Sequence, residues 1–171
     1  MHNPNWGVIG LGVMGTSLSR NLAQKGVPLA LYNRRVEGVE ENVAEKHCLT
    51  FPELKSALPF EDLNGFVDSL QAPRKIILML PAGTATNSIL KHLTPLLTKG
   101  DVVIEGGNSH FEDTEKRAKE LADVGIHFLG MGVSGGEEGA LTGPSLMVGG
   151  SESAYPLVSK ELETIAAKNL K

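Results

Sequence analysis

The chain has 171 residues, of which 41% are hydrophobic and 21% charged, and its formal net charge is -4. This length predicts one domain with a sizeable core, and the balance of residue types is ordinary for a globular protein. The acidic balance, without a basic stripe, argues against nucleic acid and anionic membranes as partners, and no apolar run is long enough to span a bilayer.

Cysteine, histidine and glycine usage narrows the class further. Cys48 is the only cysteine, which excludes an internal disulfide and fits a reducing compartment. Residues 1–5 show no basic stretch ahead of an apolar core, so no secretory signal is visible and we expect a cytoplasmic protein. The five histidines lack metal-ligand spacing, so we expect no metal site. Glycine is unusually frequent, at 20 residues, and it is clustered.

Apolar runs alternate with helical periodicity along the chain. The predicted strands lie at residues 6–10, 29–32, 75–80, 102–104 and 126–129. The predicted helices follow at residues 14–26, 89–100, 109–125 and 158–166. Buried strands separated by helices predict a Rossmann-type, doubly wound α/β fold, with a mostly parallel sheet and helices on both faces. Residues 37–73 predict an irregular insertion with short helices.

The first glycine cluster, Gly10-Leu11-Gly12-Val13-Met14-Gly15, joins the first predicted strand to the first helix. In that position G-x-G-x-x-G is the dinucleotide-binding fingerprint, which predicts a pyrophosphate site over these six residues. Gly10 permits the tight turn, Gly12 lets the phosphate approach the backbone, and Gly15 lets helix and strand pack closely. The helix N-terminus adds free N–H groups. The alternative is a packing turn that binds nothing.

The second predicted strand ends at Tyr32-Asn33-Arg34-Arg35. NAD-specific sites usually carry an Asp or Glu here that bonds the ribose 2′-hydroxyl, but the first carboxylate in this chain is Glu37, in the next turn. The guanidiniums of Arg34 and Arg35 are planar forks of donors that match a phosphate. We therefore expect NADP in preference to NAD. The alternative is that both arginines are solvated surface charges.

A third cluster, Glu105-Gly106-Gly107-Asn108-Ser109, follows the strand predicted at residues 102–104. Ligands of open α/β sheets lie outside the carboxyl ends of the strands, and Asn108 offers both a donor and an acceptor there. Ser109 and Glu112 match a capping box, so we expect Ser109 to cap the next helix. The alternative is a turn and a cap without a ligand.

The fourth cluster runs over residues 130–140 and contains five glycines. As a loop, it would present backbone N–H groups and the Ser134 hydroxyl to a polyol or a carboxylate. Composition alone favours a flexible surface loop. Glu137 and Glu138 are adjacent and point in different directions, so we interpret them as structural or solvated and not as an acid–base pair.

In combination these motifs resemble the coenzyme domain of the 6-phosphogluconate dehydrogenase family. The resemblance rests on the first glycine cluster, Asn33-Arg34, G-G-N-S at 106–109, V-S-G-G-E-E-G-A at 133–140, G-P-S-L-M at 143–147 and I-A-A-K at 165–168. Related β-hydroxyacid dehydrogenases share the first motif but not the E-E-G-A extension. The resemblance implies a single dinucleotide-binding domain over residues 1–171.

The family oxidises 6-phosphogluconate with NADP and decarboxylates the 3-keto intermediate to ribulose 5-phosphate, in the pentose phosphate pathway and gluconate utilisation. The resemblance implies that Gly10 to Gly15 hold the pyrophosphate. It implies cofactor contacts for Asn33, Arg34 and Arg35 at the 2′-phosphate end and for Leu80, Pro81 and Ala82 toward the nicotinamide half. It also implies substrate contacts for Ser134, Gly135 and Gly136, with Asn108 touching both molecules. For the full-length enzyme it implies a homodimer.

The chain departs from the family at several positions. Arg35 replaces a common threonine, Gly38 replaces a common basic residue, and Leu80-Pro81-Ala82-Gly83 replaces V-K-A-G. The family's catalytic lysine and acid glutamate lie beyond the coenzyme domain, as does its long helical domain. We therefore expect one domain of a longer enzyme, with no catalytic residue of its own, which binds NADP but is inactive alone.

Two other functions fit the same residues. One is the coenzyme domain of a related β-hydroxyacid dehydrogenase, such as a 3-hydroxyisobutyrate type. The other is a non-catalytic NADP-binding module.

Overall fold

Seven strands form one sheet in the computed structural model, which describes residues 3–168. The strands are β1 (Trp6–Ile9), β2 (Leu29–Tyr32), β3 (Leu58–Phe60), β4 (Lys75–Leu78), β5 (Val102–Glu105), β6 (His127–Ser134) and β7 (Ser145–Gly150). Their order across the sheet is β3-β2-β1-β4-β5-β6-β7, and every pair is parallel except β6 with β7. The predicted mostly parallel sheet is confirmed.

Helices cover both faces of this sheet. They are α1 (Val13–Gln24), α2 (Val43–Thr50), α3 (Leu63–Ser69), α4 (Thr84–Leu93), α5 (Phe111–Ala122), α6 (Gly136–Thr142) and α7 (Ser159–Ile165). The buried side chains of α1, α2 and α7 form a core on one face, and those of α3, α4 and α5 form a core on the other. The doubly wound architecture is therefore confirmed. Within residues 3–168, no helix combines the length and the apolar character that crossing a bilayer requires.

The alternation of strand side chains explains the two cores. Val8 and Leu31 belong to the core under α1, whereas Ile9 and Ala30, one residue away on the same strands, belong to the opposite core. Successive strand residues point to opposite faces, so a strand buried on both faces must be apolar throughout. This is why β1, β2, β4 and β5 were recognisable from sequence.

The prediction for residues 37–73 is partly wrong. Short helices are present, but Leu58–Phe60 pairs in parallel with β2 and adds a strand to the sheet. Three residues that include Pro59 are too short a pattern to reveal an edge strand.

The prediction of a loop over residues 130–140 is also wrong. β6 runs on to Ser134, and α6 begins at Gly136. Gly130 and Gly132 are strand residues; a Cβ at Gly130 would crowd Thr114 on α5, whereas a Cβ at Gly132 would meet the end of the exposed, flexible Met147 side chain. β7, which pairs antiparallel with β6, was not predicted.

Close contact between β1 and α1 positions the first glycine cluster. A Cβ at Gly15 would overlap the carbonyl oxygen of Gly10, so only glycine allows the helix to start this near the strand. Gly10 itself has a φ of 94°, which a side chain would strain. The expected roles of these two glycines in the turn and in helix–strand packing are confirmed.

We predict that Gly15→Ala lowers the free energy of unfolding by about 1–3 kcal/mol, because the added methyl group overpacks a rigid contact. Urea unfolding of the purified chain measures the change. Gly12→Ala is the matched control, since a Cβ at Gly12 meets no atom within 4 Å. Equal stability of the two variants would show that the contact between β1 and α1 relaxes freely.

Candidate functional site

A cavity of about 840 Å³ opens at the carboxyl ends of β1, β2 and β4. Its volume lies within the range typical of small-molecule sites. The strand order reverses between β1 and β4, and open α/β sheets bind ligands at that point. The lining residues include Gly10, Leu11, Gly12, Tyr32, Asn33, Arg34, Glu40, Met79, Leu80, Pro81, Ser88, Ile89 and His92.

The N-terminus of α1 borders this cavity. Gly12 is the N-cap residue, no side chain caps the helix, and the first turn contains no acidic residue. The first hydrogen bond within the helix runs from the Thr16 N–H to the Gly12 carbonyl, so the N–H groups of residues 13–15 lack helical partners. Neither packing nor backbone strain requires glycine at position 12, where a Cβ would meet open space. The arrangement suits an anion that lies against the backbone.

Asn33 connects this turn to the end of β2. Its side chain is buried, and its Oδ1 accepts the Leu11 N–H at 3.0 Å. Its Nδ2 donates to the Glu40 carboxylate at 3.0 Å and to the Arg34 carbonyl at 3.1 Å. Asn33 therefore supports the glycine turn as well as facing the cavity.

The two arginines after β2 occupy different places. Arg34 lines the cavity, its side chain is 69% exposed, and its NH2 lies 3.3 Å from Glu40 Oε1. Arg35 is not among the lining residues, and its NH2 lies 3.4 Å from Glu41 Oε1. Of the two arginines that the sequence analysis assigned to the 2′-phosphate, only Arg34 therefore lines the cavity.

Glu40 is a cavity residue that sequence reasoning missed. A tight turn brings it back beside Asn33, through hydrogen bonds between the backbones of Val36 and Glu40. Hydrogen bonds from Arg34 and Asn33 lower the pKa of the Glu40 carboxyl, so it is ionised at neutral pH. The available signal was Gly38, whose φ of 73° permits the turn. Glu37, the first carboxylate in the sequence, is not a lining residue.

The segment after β4 forms the wall opposite β2. Met79, Leu80 and Pro81 line the cavity, whereas Ala82 is exposed and is not among the lining residues. One face of α4 completes this wall with Ile89 and His92. Ile89 belongs to the helix predicted at residues 89–100, but helical periodicity does not distinguish a cavity wall from a core.

Asn108 belongs to a second cavity, of about 470 Å³, between α5 and the β6–β7 pair. It is exposed in the loop after β5. Ser134, Gly135 and Gly136 are also exposed, at the end of β6, and are not among the residues that line either cavity. The expected substrate residues therefore lie on the same edge of the sheet but do not share one enclosed cavity. Glu137 and Glu138 are exposed, as expected for solvated residues.

A buried ion pair holds the loop that contains Asn108. Arg117 NH1 lies 2.7 Å from Glu105 Oε1, and these side chains are 5% and 2% exposed. Ser109 donates its hydroxyl to Glu105 and accepts a hydrogen bond from Arg117 at 3.0 Å. The predicted capping box is therefore wrong: His110 is the N-cap of α5, and no side chain caps that helix. The Ser109 hydroxyl donates to Glu105 and its oxygen accepts from Arg117, so the hydroxyl is held by the ion pair and not by the N–H groups at the start of α5.

A family model described as the NAD binding domain of 6-phosphogluconate dehydrogenase matches residues 5–170. The chain belongs to this family. The predicted family, the Rossmann fold and the NAD-binding character of the domain are thereby confirmed.

Curated relatives agree with that assignment. A 6-phosphogluconate dehydrogenase (decarboxylating) of Lactococcus lactis is 49% identical over 168 residues, which are 98% of this chain and 34% of the relative. Two such enzymes of Bacillus subtilis, one named NADP(+)-dependent and one NAD(+)-dependent, are 48% and 46% identical, and each match covers 95% of this chain and 33% of the relative. The chain thus spans about a third of the curated relatives it matches.

A solved structure gives the same result. The 6-phosphogluconate dehydrogenase of Plasmodium falciparum, determined in its apo form and with NADP+ or 6-phosphogluconate, superposes with a TM-score of 0.86 at 36% identity. The match covers 96% of this chain and 34% of that one. These relatives favour the 6-phosphogluconate dehydrogenase interpretation over the 3-hydroxyisobutyrate type.

For this NAD-binding domain, we predict that Arg117→Met lowers the free energy of unfolding by about 3 kcal/mol, because it leaves the Glu105 carboxylate buried without its cation. Lys116→Met, on the exposed side of the same helix, is the control. Urea unfolding compares both variants with the double variant Glu105→Leu/Arg117→Met, which should be more stable than Arg117→Met alone. Similar stability of Arg117→Met and Lys116→Met would contradict the assigned importance of the pair.

Proposed function

We propose that this chain binds NADP in the cavity between β2 and β4 and serves as the coenzyme domain of a decarboxylating 6-phosphogluconate dehydrogenase. In the full-length enzyme, the reaction would oxidise 6-phosphogluconate and release ribulose 5-phosphate and carbon dioxide. The bound cofactor would accept the hydride. Following the resemblance, we place this enzyme in the cytoplasm as a homodimer.

The observation that carries the proposal is the open, uncapped start of α1 at Gly12. The free N–H groups of α1 and the lack of acidic residues in its first turn favour a pyrophosphate at residues 10–15. From there the adenosine end would extend toward Asn33 and Arg34, with Arg35 at the margin. The nicotinamide half would extend along Leu80, Pro81 and Ala82 toward Asn108. This course follows the crevice of the sheet.

The sugar acid would bind beyond the carboxyl ends of β5 and β6, which are neighbouring strands of the sheet. We assign Asn108, Ser134, Gly135 and Gly136 to it. The φ angles of Gly135 and Gly136, 129° and 64°, allow the backbone to turn at these two exposed residues. The Glu105–Arg117 pair would fix Asn108 indirectly, by holding the loop on which it lies.

Oxidation of a hydroxyl group requires a base that takes its proton. We assign no catalytic residue within this chain. Lys75 is the first residue of β4 and so lies at the amino ends of the strands, away from the candidate site, where its Nζ is 3.8 Å from Glu161. His110 is close to Asn108 in sequence, but its side chain is exposed and lies beside Glu112. We propose that the base belongs to another part of the enzyme.

We predict that Gly12→Val abolishes dinucleotide binding and leaves the far-ultraviolet circular dichroism unchanged. The valine side chain enters space that the protein leaves open and that the pyrophosphate would need. Isothermal titration with NADP measures the effect.

Ala122→Val is the control, because it adds a β-branched side chain at an exposed position on α5 that lines neither cavity. Normal NADP binding by Gly12→Val would show that the glycine motif is only a packing turn.

We also predict that the chain binds NADP about tenfold more tightly than NAD, as expected for one charge-assisted arginine–phosphate contact. Arg34→Ala should remove most of this preference by weakening NADP while leaving NAD almost unchanged. Arg35→Ala, which removes the same charge outside the lining of the cavity, should have a smaller effect. Parallel titrations with both dinucleotides test the ratio, and equal effects of the two variants would remove the specific assignment of Arg34.

A further inference from the structure

The Glu40 carboxylate accepts hydrogen bonds from the Asn33 amide and the Arg34 guanidinium, the two donors best placed to bind a 2′-phosphate. One carboxylate oxygen accepts from Asn33 Nδ2 at 3.0 Å, and the other lies 3.3 Å from Arg34 NH2. The carboxylate thus bridges an amide and a guanidinium at the rim of the cavity, as an external anion would. The Glu40 carboxylate and a 2′-phosphate are both negatively charged, so they would repel each other if both were bound to Asn33 and Arg34.

The turn does not depend on this carboxylate. The Val36 N–H donates to the Glu40 carbonyl at 2.7 Å, and the Glu40 N–H donates to the Val36 carbonyl at 2.8 Å. These backbone hydrogen bonds close the turn whatever side chain residue 40 carries. In the Arg34–Glu40 pair the arginine is exposed and the glutamate is half-buried, and ion pairs at the surface contribute little to stability. The Glu40 side chain therefore has its main effect on whether another anion can bind Arg34 and Asn33.

We infer that Glu40 is a specificity-determining residue that narrows the preference for NADP over NAD. Its carboxylate competes with the 2′-phosphate of NADP for Arg34 and Asn33, and it accepts a hydrogen bond from the ribose 2′-hydroxyl of NAD. In NAD-specific Rossmann domains, an acidic residue after the second strand accepts a hydrogen bond from the ribose 2′-hydroxyl. Here the turn brings Glu40, seven residues after Asn33, to that place. The inference rests on the proposed dinucleotide site.

Glu41 provides an internal control. It pairs with Arg35 as Glu40 pairs with Arg34, and it also accepts the Gly38 N–H. Unlike Glu40, it is not among the residues that line the cavity. Glu41→Gln removes one negative charge one residue away from Glu40. It therefore shows how much of any effect comes from the loss of charge alone and how much from direct competition for Arg34 and Asn33.

The experiment titrates the wild-type chain, Glu40→Gln and Glu41→Gln with NADP and NAD, and then with the adenosine halves 2′,5′-ADP and ADP. Glu40→Gln should raise the ratio of the NAD and NADP dissociation constants roughly two- to fivefold, the effect expected of one exposed charge pair. NADP should bind more tightly and NAD more weakly, and 2′,5′-ADP and ADP should show the same changes. Glu41→Gln should leave the ratio unchanged. In an Arg34→Ala background, Glu40→Gln should have much less effect on the ratio.

Three results would overturn the inference. One is an unchanged ratio in Glu40→Gln, and another is equal effects of Glu40→Gln and Glu41→Gln. In both cases, binding of NADP by the wild-type chain would leave the proposed function standing. The third is failure of the wild-type chain to bind either dinucleotide, which would remove the proposed function and the inference together.

Discussion

The candidate site depends on how closely α1 approaches β1. The carbonyl oxygen of Gly10 lies where a side chain at Gly15 would have to be, so the helix begins almost on top of the strand. That approach points the helix N-terminus into the crevice at which the strand order reverses. Asn33 then fixes the turn from the side by accepting the Leu11 N–H. A larger residue at position 15 would move the helix and its free N–H groups together.

The parts of the fold that could be predicted are those encoded by neighbouring residues. A strand buried on both faces is apolar throughout, and Gly10 to Gly15 combine a turn with a helix start over six residues. β3 and β7 escaped prediction because edge strands are short or half exposed and need no continuous apolar run. The glycines of β6 suggested a loop because the residue that crowds Gly130, Thr114, lies on α5 and is not visible in the local sequence pattern.

The parts of the candidate site that could not be predicted are set by pairing between distant groups. Ser109 has the local pattern of a helix cap, but its hydroxyl donates to the buried Glu105 carboxylate and accepts from Arg117. Arg34 and Arg35 are adjacent and alike, and only the turn that returns Glu40 and Glu41 shows which of them faces the cavity. Sequence identifies the donors available to a ligand, whereas the acceptors that already occupy them appear only in three dimensions.

The two edges of the sheet differ in their capacity to pair with another strand. β3 has only three residues, and one of them, Pro59, has no backbone N–H. β7 has six residues and runs antiparallel to its neighbour. A strand from another molecule would therefore find a much longer row of backbone donors and acceptors beside β7 than beside β3. The two outer strands of the described sheet are therefore unequal, and β7, the one away from the glycine-rich turn, has the longer backbone available for pairing.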